Sequence, residues 1–193
     1  MPFDKKISLL RLTETEAGSY AWTEAEKLWA EVKATGKTTI FSKVGLSAQA
    51  VQFTMCRRTL RLEDAFFWQG RHYFLTAVAP KGVLYVEVTA APVDIAACRA
   101  VRTVIKKNAR NNPVTEEITP CRFPGCLTEK YMGYEQKRAE AVSQITYVLV
   151  TPKVIALETG DLVYIDEVPF EVRLAHVLDG YKNEYEVYRK KEA

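Results

Sequence analysis

Histidine is almost absent from this chain: His72 and His176 are the only two in 193 residues. Neither stands in a Ser, Cys or carboxylate pattern that would build a nucleophilic triad, and no HExxH run is present to hold zinc. A glycine-rich phosphate loop, a dinucleotide fingerprint and a carboxylate cluster suited to a divalent cation are missing as well. The expectation is a protein that is not an enzyme, needs no cofactor or metal, and uses its two histidines structurally. Cysteine is scarce, with Cys56, Cys98, Cys121 and Cys126. No CxxC pair faces a second one at zinc-finger distance, so free thiols are expected; Cys121 and Cys126 read as inert thiols at a turn, with a metal pair or a disulfide as the alternative. No apolar run approaches the roughly 20 residues needed to span a bilayer. Met1-Pro-Phe-Asp-Lys-Lys6 carries charge where a signal peptide would carry its apolar stretch, so a cytoplasmic protein without membrane contact is expected. The net charge of +3 is too small an average to argue for nucleic acid, which wants a concentrated basic face.

Alternating hydrophobicity is what the chain does have, in an ordinary globular balance of 48% hydrophobic and 26% charged residues. The stretch Leu62 to Leu75, LEDAFFWQGRHYFL, reads as strand, tight turn and strand. It recurs as Thr159 to Val172, TGDLVYIDEVPFEV, displaced by 97 positions (161 − 64). That displacement lays Asp64 on Asp161, Phe66 on Val163, Phe67 on Tyr164, Trp68 on Ile165, Tyr73 on Phe170 and Leu75 on Val172. Each copy is preceded by an alternating run, Val51 to Met55 and Ile145 to Val150, and followed by another, Val83 to Val88 and Glu184 to Tyr188. Order and spacing match, not identity, and a duplication is the reading. The fold expected is mainly β: two small β-barrel or sandwich-like units in tandem, 1–93 and 94–193, with short helical insertions.

Along the chain, Lys6 to Leu12 reads as a first strand and Thr13 to Ser19 as a polar loop with Gly18 for its turn. Thr23 to Val32 is ambiguous, because Thr23-Glu-Ala-Glu26 fits a helix capping box and local propensity favours helix, while Leu28, Ala30 and Val32 alternate as a strand would; strand is the preferred reading, on the family resemblance that follows. Thr38 to Ala50 reads as a short helix plus loop. Val51, Phe53 and Met55 share one face of a half-buried strand, and the continuous bulk of Ala65 to Trp68 points to burial on both faces. Gln69-Gly70 and Pro80-Lys-Gly82 close two hairpins. Pro120, Pro124 and Gly125 mark an irregular stretch, and Glu129 to Ala141 has helical spacing. Pro169, unable to donate a ladder hydrogen bond, belongs at a strand start or an edge.

One local basic cluster stands out. Between Asp94 and Pro113 lie Arg99, Arg102, Lys106, Lys107 and Arg110 against a single acidic residue. These five are the candidate contacts to DNA or an acidic partner, acting by phosphate neutralisation; a solvated strand and loop is the plainer reading, and no aromatic interleaving within the segment supports base stacking.

The order of a first strand, a polar loop, Trp29-Ala-Glu-Val32, a helical piece, an alternating strand and then a strand, turn and aromatic strand resembles the tailed-bacteriophage head-tail joining proteins, the head-closure or stopper family. The matching positions are Trp29, Glu31, Val32, Val51, Phe53, Leu62, Asp64, Phe67, Gly70, Tyr73 and Leu75. Gly160-Asp-Leu-Val-Tyr164 and Val168-Pro-Phe170 match the family's later strands, whereas Cys98 to Tyr134 departs from its pattern. The resemblance implies small β-barrels with an inserted helix and loop, a homo-oligomeric ring between portal-adaptor complex and tail, packaged DNA in the channel, and a place in the virion neck after assembly in the bacterial host cytoplasm. Family members usually carry one such unit, so a double one is a departure. A non-catalytic β-barrel module binding peptide or nucleic acid is the alternative.

Overall fold

The computed structural model describes residues 3–16, 18–35, 50–108, 110–129, 146–176 and 182–190. The fold is mainly β. Its strands are β1 (Lys5–Glu16), β2 (Ser19–Thr35), β3 (Ala50–Cys56), β4 (Ala65–Trp68), β5 (Arg71–Lys81), β6 (Tyr85–Val93), β7 (Ala96–Lys107), β8 (Pro113–Glu129), β9 (Thr146–Pro152), β10 (Leu162–Ile165), β11 (Val168–His176) and β12 (Lys182–Arg189). Among the described residues there is no helix. The helical readings of 38–50 and 129–141 fall outside the described residues, apart from Ala50, which begins β3, and Glu129, which ends β8.

The chain divides into two compact units, one of Met1–Thr13 with Ala21–Ile95 and one of Glu14–Tyr20 with Ala96–Ala193. In the first, the pairings run β1-β4-β5-β6-β3-β2, and β2 pairs back to β1. In the second they run β7-β10-β11-β12-β9-β8, and β8 pairs back to β7. The second order is the first with every strand number raised by six. Each strand thus has a neighbour on both sides within its unit, which satisfies ladder groups that an open sheet would leave bare.

Register repeats along with order. Ala65 pairs with Phe74 and Trp68 with Arg71; 97 positions on, Leu162 pairs with Glu171 and Ile165 with Val168. The β5–β6 ladder slips between Leu75 and Ala77, and the β11–β12 ladder slips between Val172 and Leu174, again 97 positions on. A bulge kept at one place in both copies is a built feature that re-aims the strand.

The hairpin turns match too: Gln69 and Gly70 have φ of 48° and 77°, and Asp166 and Glu167 have 46° and 67°. Two successive positive φ values are what a two-residue turn matched to strand twist requires. Before each hairpin a buried aspartate holds a turn. The Asp64 carboxylate accepts the Arg61 backbone N–H at 2.9 Å, and Asp161 accepts that of Glu158 at 2.7 Å.

Each unit has its own core. The first packs Ile7, Leu9, Leu28, Ala30, Phe53, Met55, Phe66, Tyr73, Leu75, Val86, Val88 and Ala90. The second packs Cys98, Ala100, Phe123, Leu149, Val163, Phe170, Val172, Tyr185 and Val187 from the corresponding strand positions, joined by Ala96, Ile155, Leu157 and Ile165.

One ambiguous segment is resolved as the strand preferred for it, and two local readings need adjustment. The ambiguous Thr23 to Val32 is strand, because Leu28 and Ala30 are buried while Trp29 between them is 58% exposed; closing the ring of pairings overrides helix propensity. The stretch with Pro120, Pro124 and Gly125 is not irregular but part of β8. Pro120 is tolerated because the β7–β8 register shifts there, between Ala100 opposite Cys121 and Arg102 opposite Ile118. Burial on both faces of β4 holds for Ala65 and Phe66 but not for Phe67, which is 38% exposed and lies edge-on to His72.

Candidate nucleic-acid interface

Strand β7 carries most of the basic cluster, and strand periodicity decides where each side chain goes. Cys98 and Ala100 point into the core of the second unit, so Arg99 points outward. Its guanidinium lies 4.1 Å over the ring of Tyr164, its register partner on β10. On the other side Arg99 stands opposite Arg122 of β8. Neither guanidinium has an ion pair or hydrogen bond among the described residues.

Arg102 is engaged differently. Its Nε and Nη2 donate to the two oxygens of the buried Asp161 carboxylate at 2.8 Å each, and its Nη1 donates to Glu158 at 2.9 Å. The hydrogen bonds it donates to Asp161 push the Arg102 pKa further up, so this guanidinium stays charged and its charge is spent inside the unit. Lys106 pairs with Glu116 at 2.6 Å on the exposed surface, an arrangement worth little in stability. Lys107, one residue on, points to the opposite face from Lys106. Arg110 sits in the turn that follows, where its backbone N–H donates to the Asn108 side chain at 3.0 Å. Lys107 and Arg110 are exposed.

The five predicted residues are therefore not one site: Arg102 is a structural clamp, Lys106 is paired, and Lys107 and Arg110 lie at the far end of the hairpin. Only Arg99 joins a wider basic surface. Its companions, Arg122, Tyr164, Arg173, Tyr188 and Lys190, come from four other parts of the chain. Arg173 lies over the Tyr188 ring at 4.8 Å, and the Lys190 N–H donates to the Pro169 carbonyl at 2.9 Å, carrying the β11–β12 ladder one step further. Sequence reading missed these five because their proximity depends on register between strands. The signal that could have found Tyr164 was the 97-residue displacement itself, which already placed it in a strand beside the repeat's hairpin.

Other reactive groups are in quiet settings. His72 stacks on Trp22 at 6.0 Å, and burial lowers its pKa from the ordinary histidine value. His176 contacts Glu186 at 3.0 Å. Burial pushes the Cys98 thiol up to about 12 and raises that of Cys121 also, which disfavours the nucleophilic thiolate. Lys182 Nζ approaches Glu184 at 2.8 Å inside the second unit; this is an ion pair without hydrogen-bond alignment, since neither Glu184 oxygen has an aligned donor among the described residues. No group of three His, Cys, Asp or Glu among the described residues could hold a metal ion. No helix among them is long and apolar enough to cross a membrane. Comparison with known proteins finds no family model, no curated protein and no solved structure that matches this chain.

Proposed function

We propose that the chain is a structural subunit of a tailed-phage neck, each of its two units a small β-barrel, assembling into a ring that joins the portal-adaptor complex to the tail and helps retain packaged DNA. The observation that carries the reading is the repeat: two units with one pairing order, one hairpin register and one bulge position. Two like units in one chain fit repeated assembly contacts. An outward apolar row gives such a ring something to bury. Cys56 pairs with Tyr85, the register next to Ala30–Met55 sets Trp29 alongside, and Val83 and Leu84 at the adjoining turn are 81% and 67% exposed.

Two units per chain bear on symmetry. Six chains would offer twelve similar units towards a twelve-fold portal side while keeping six-fold identity towards the tail. Native mass spectrometry of the assembled neck tests this: the expected count is six chains per ring, and twelve would refute the six-copy arrangement. Absence of any ring, alone or with portal-adaptor complexes, would refute the neck reading. The second reading, a non-catalytic module binding peptide or nucleic acid, is favoured by the adjacent Arg99 and Arg122, which have no ion pair among the described residues; a stable stoichiometric complex of a monomeric chain with an oligonucleotide would favour it.

A further inference from the structure

We infer that the outer face of the second unit, across β8, β7, β10, β11 and β12, binds the phosphate backbone of nucleic acid as the free chain, whether or not it assembles into a ring. Register lines up one row, Arg122, Arg99, Tyr164 and Pro169, which Lys190 extends. The next row runs Leu162, Glu171 and Tyr188, with Arg173 over the Tyr188 ring. Neighbouring strands lie about 4.8 Å apart, so the first row is on the order of 14 Å wide from β8 to β11. Four basic residues stand on these rows with Glu171 as the opposing acid, and none of the four forms an ion pair among the described residues.

Arg99 directly opposite Arg122 is the informative pair. Like charges facing each other across a ladder are destabilising, and no carboxylate among the described residues pairs with either of these two. The repeat supplies an internal comparison. The β1 and β7 positions are displaced by 91 (99 − 8) and the β2 and β8 positions by 95 (122 − 27), so the first unit has Ser8 and Lys27 at these places. There Glu24 receives both, from the Ser8 hydroxyl at 2.6 Å and from Lys27 at 3.6 Å. One unit balances this spot internally; the other leaves two guanidiniums facing outward, one of them 4.1 Å over the Tyr164 ring. A stacked guanidinium keeps its N–H edge free and ordered, which suits it to phosphate oxygens. Tyrosines 164 and 188 add ring surface beside the charge, the combination that single strands use for stacking.

Fluorescence anisotropy of a labelled 20-mer DNA, duplex and single-stranded, titrated with the full chain across a salt series tests this. Wild type should bind one of them, and Arg99→Gln with Arg122→Gln should weaken binding at least tenfold. The slope of log affinity against log salt should fall by about 1.8 for duplex, two phosphate contacts at about 0.9 each. Lys107→Gln with Arg110→Gln, at the far end of the hairpin, should change neither by more than twofold. Thermal melting confirms that each variant is folded; if the double variant is not, Arg99→Ser, which copies the first unit, replaces it. Unchanged affinity and slope in a folded variant, no DNA binding by wild type at low salt, or equal and equally Arg99-dependent binding of heparin would each overturn the inference. Ring formation by the same variants, counted by native mass spectrometry, reports on the neck reading separately.

Discussion

Gly125→Ala should destabilise the second unit through one added methyl. A Cβ built on Gly125 would lie 2.8 Å from Cys98 Sγ and 2.9 Å from Leu149 Cδ1, closer than real carbon contacts allow. Leu149 can turn its tip, but Cys98 is short, buried and fixed on β7 opposite Phe123. Overpacking of this kind costs about 1–3 kcal/mol, which for a unit of this size lowers the melting midpoint by roughly 5 °C or more. Backbone conformation is not the cause, because the Gly125 φ is not positive. The first unit supplies the control: Ala30 holds the corresponding place, displaced by 95, and is fully buried there between larger neighbours. Cys98→Ala removes the closest atom, so the double variant should be less destabilised than the two single changes together, by about 0.5 kcal/mol or more in a double-mutant cycle. Calorimetry with circular dichroism reads both quantities. A wild-type midpoint for Gly125→Ala, or strict additivity with Cys98→Ala, would refute the packing argument.

Gly70→Val should cost about 1–2 kcal/mol by thermal melting, all of it from backbone conformation at φ 77°, since an added Cβ would meet nothing within 4 Å. Gly70→Asn should lose much less, and equal losses for the two would contradict this. Burial lowers the His72 pKa below its ordinary value, so the unfolded chain takes up its proton first as pH falls. Stability of the first unit should therefore be full above the ordinary histidine value of 6.5 and decline as pH drops below it, and His72→Gln should remove that part of the decline in urea titrations at pH 7.5 and 5.5.

The parts of the fold that could be read from sequence are those where the two copies keep a constant displacement. From β4 through β6 it is 97 throughout, so strand, turn, bulge and following strand recur in phase. Upstream the displacement is 96 for β3 and β9, 95 for β2 and β8, and 91 for β1 and β7. Each step is an insertion between strands, and it moves the second unit's first strands out of phase with the first unit's. Cys98 to Tyr134 therefore looked foreign although much of it is β7 and β8. The Thr23 to Val32 strand was ambiguous for a different reason: its local preference is helical, and pairing with β3 on one side and β1 on the other makes it extended. The binding face was least legible, because Arg99, Arg122 and Tyr164 meet through register and no spacing within one segment encodes that.

The manner in which the two units have diverged separates packing from function. On β7 the core has lost volume, with Cys98 and Ala100 where the first unit has Ile7 and Leu9. Leu149 and Val163 are likewise smaller than Phe53 and Phe66 at the matching places, and part of the loss is made good: Phe123 stands for Leu28, Tyr185 for Val88, and Ile155 with Leu157 enters from the segment before β10. That segment is tied down by the same strand that fills the gap. Tyr185 donates its hydroxyl to the Ile155 carbonyl at 2.8 Å and accepts the Leu157 N–H at 3.0 Å, while Asn183 donates to the Ile155 carbonyl at 2.9 Å. Interiors must stay close-packed and their polar groups paired, so a loss at one position selects for compensation at its neighbours. On the outer face no carboxylate among the described residues compensates the change from Ser8 and Lys27 beside Glu24 to Arg99 and Arg122. A like-charge pair that folding would disfavour, and that no carboxylate among the described residues offsets, is the observation on which the proposed anionic partner rests.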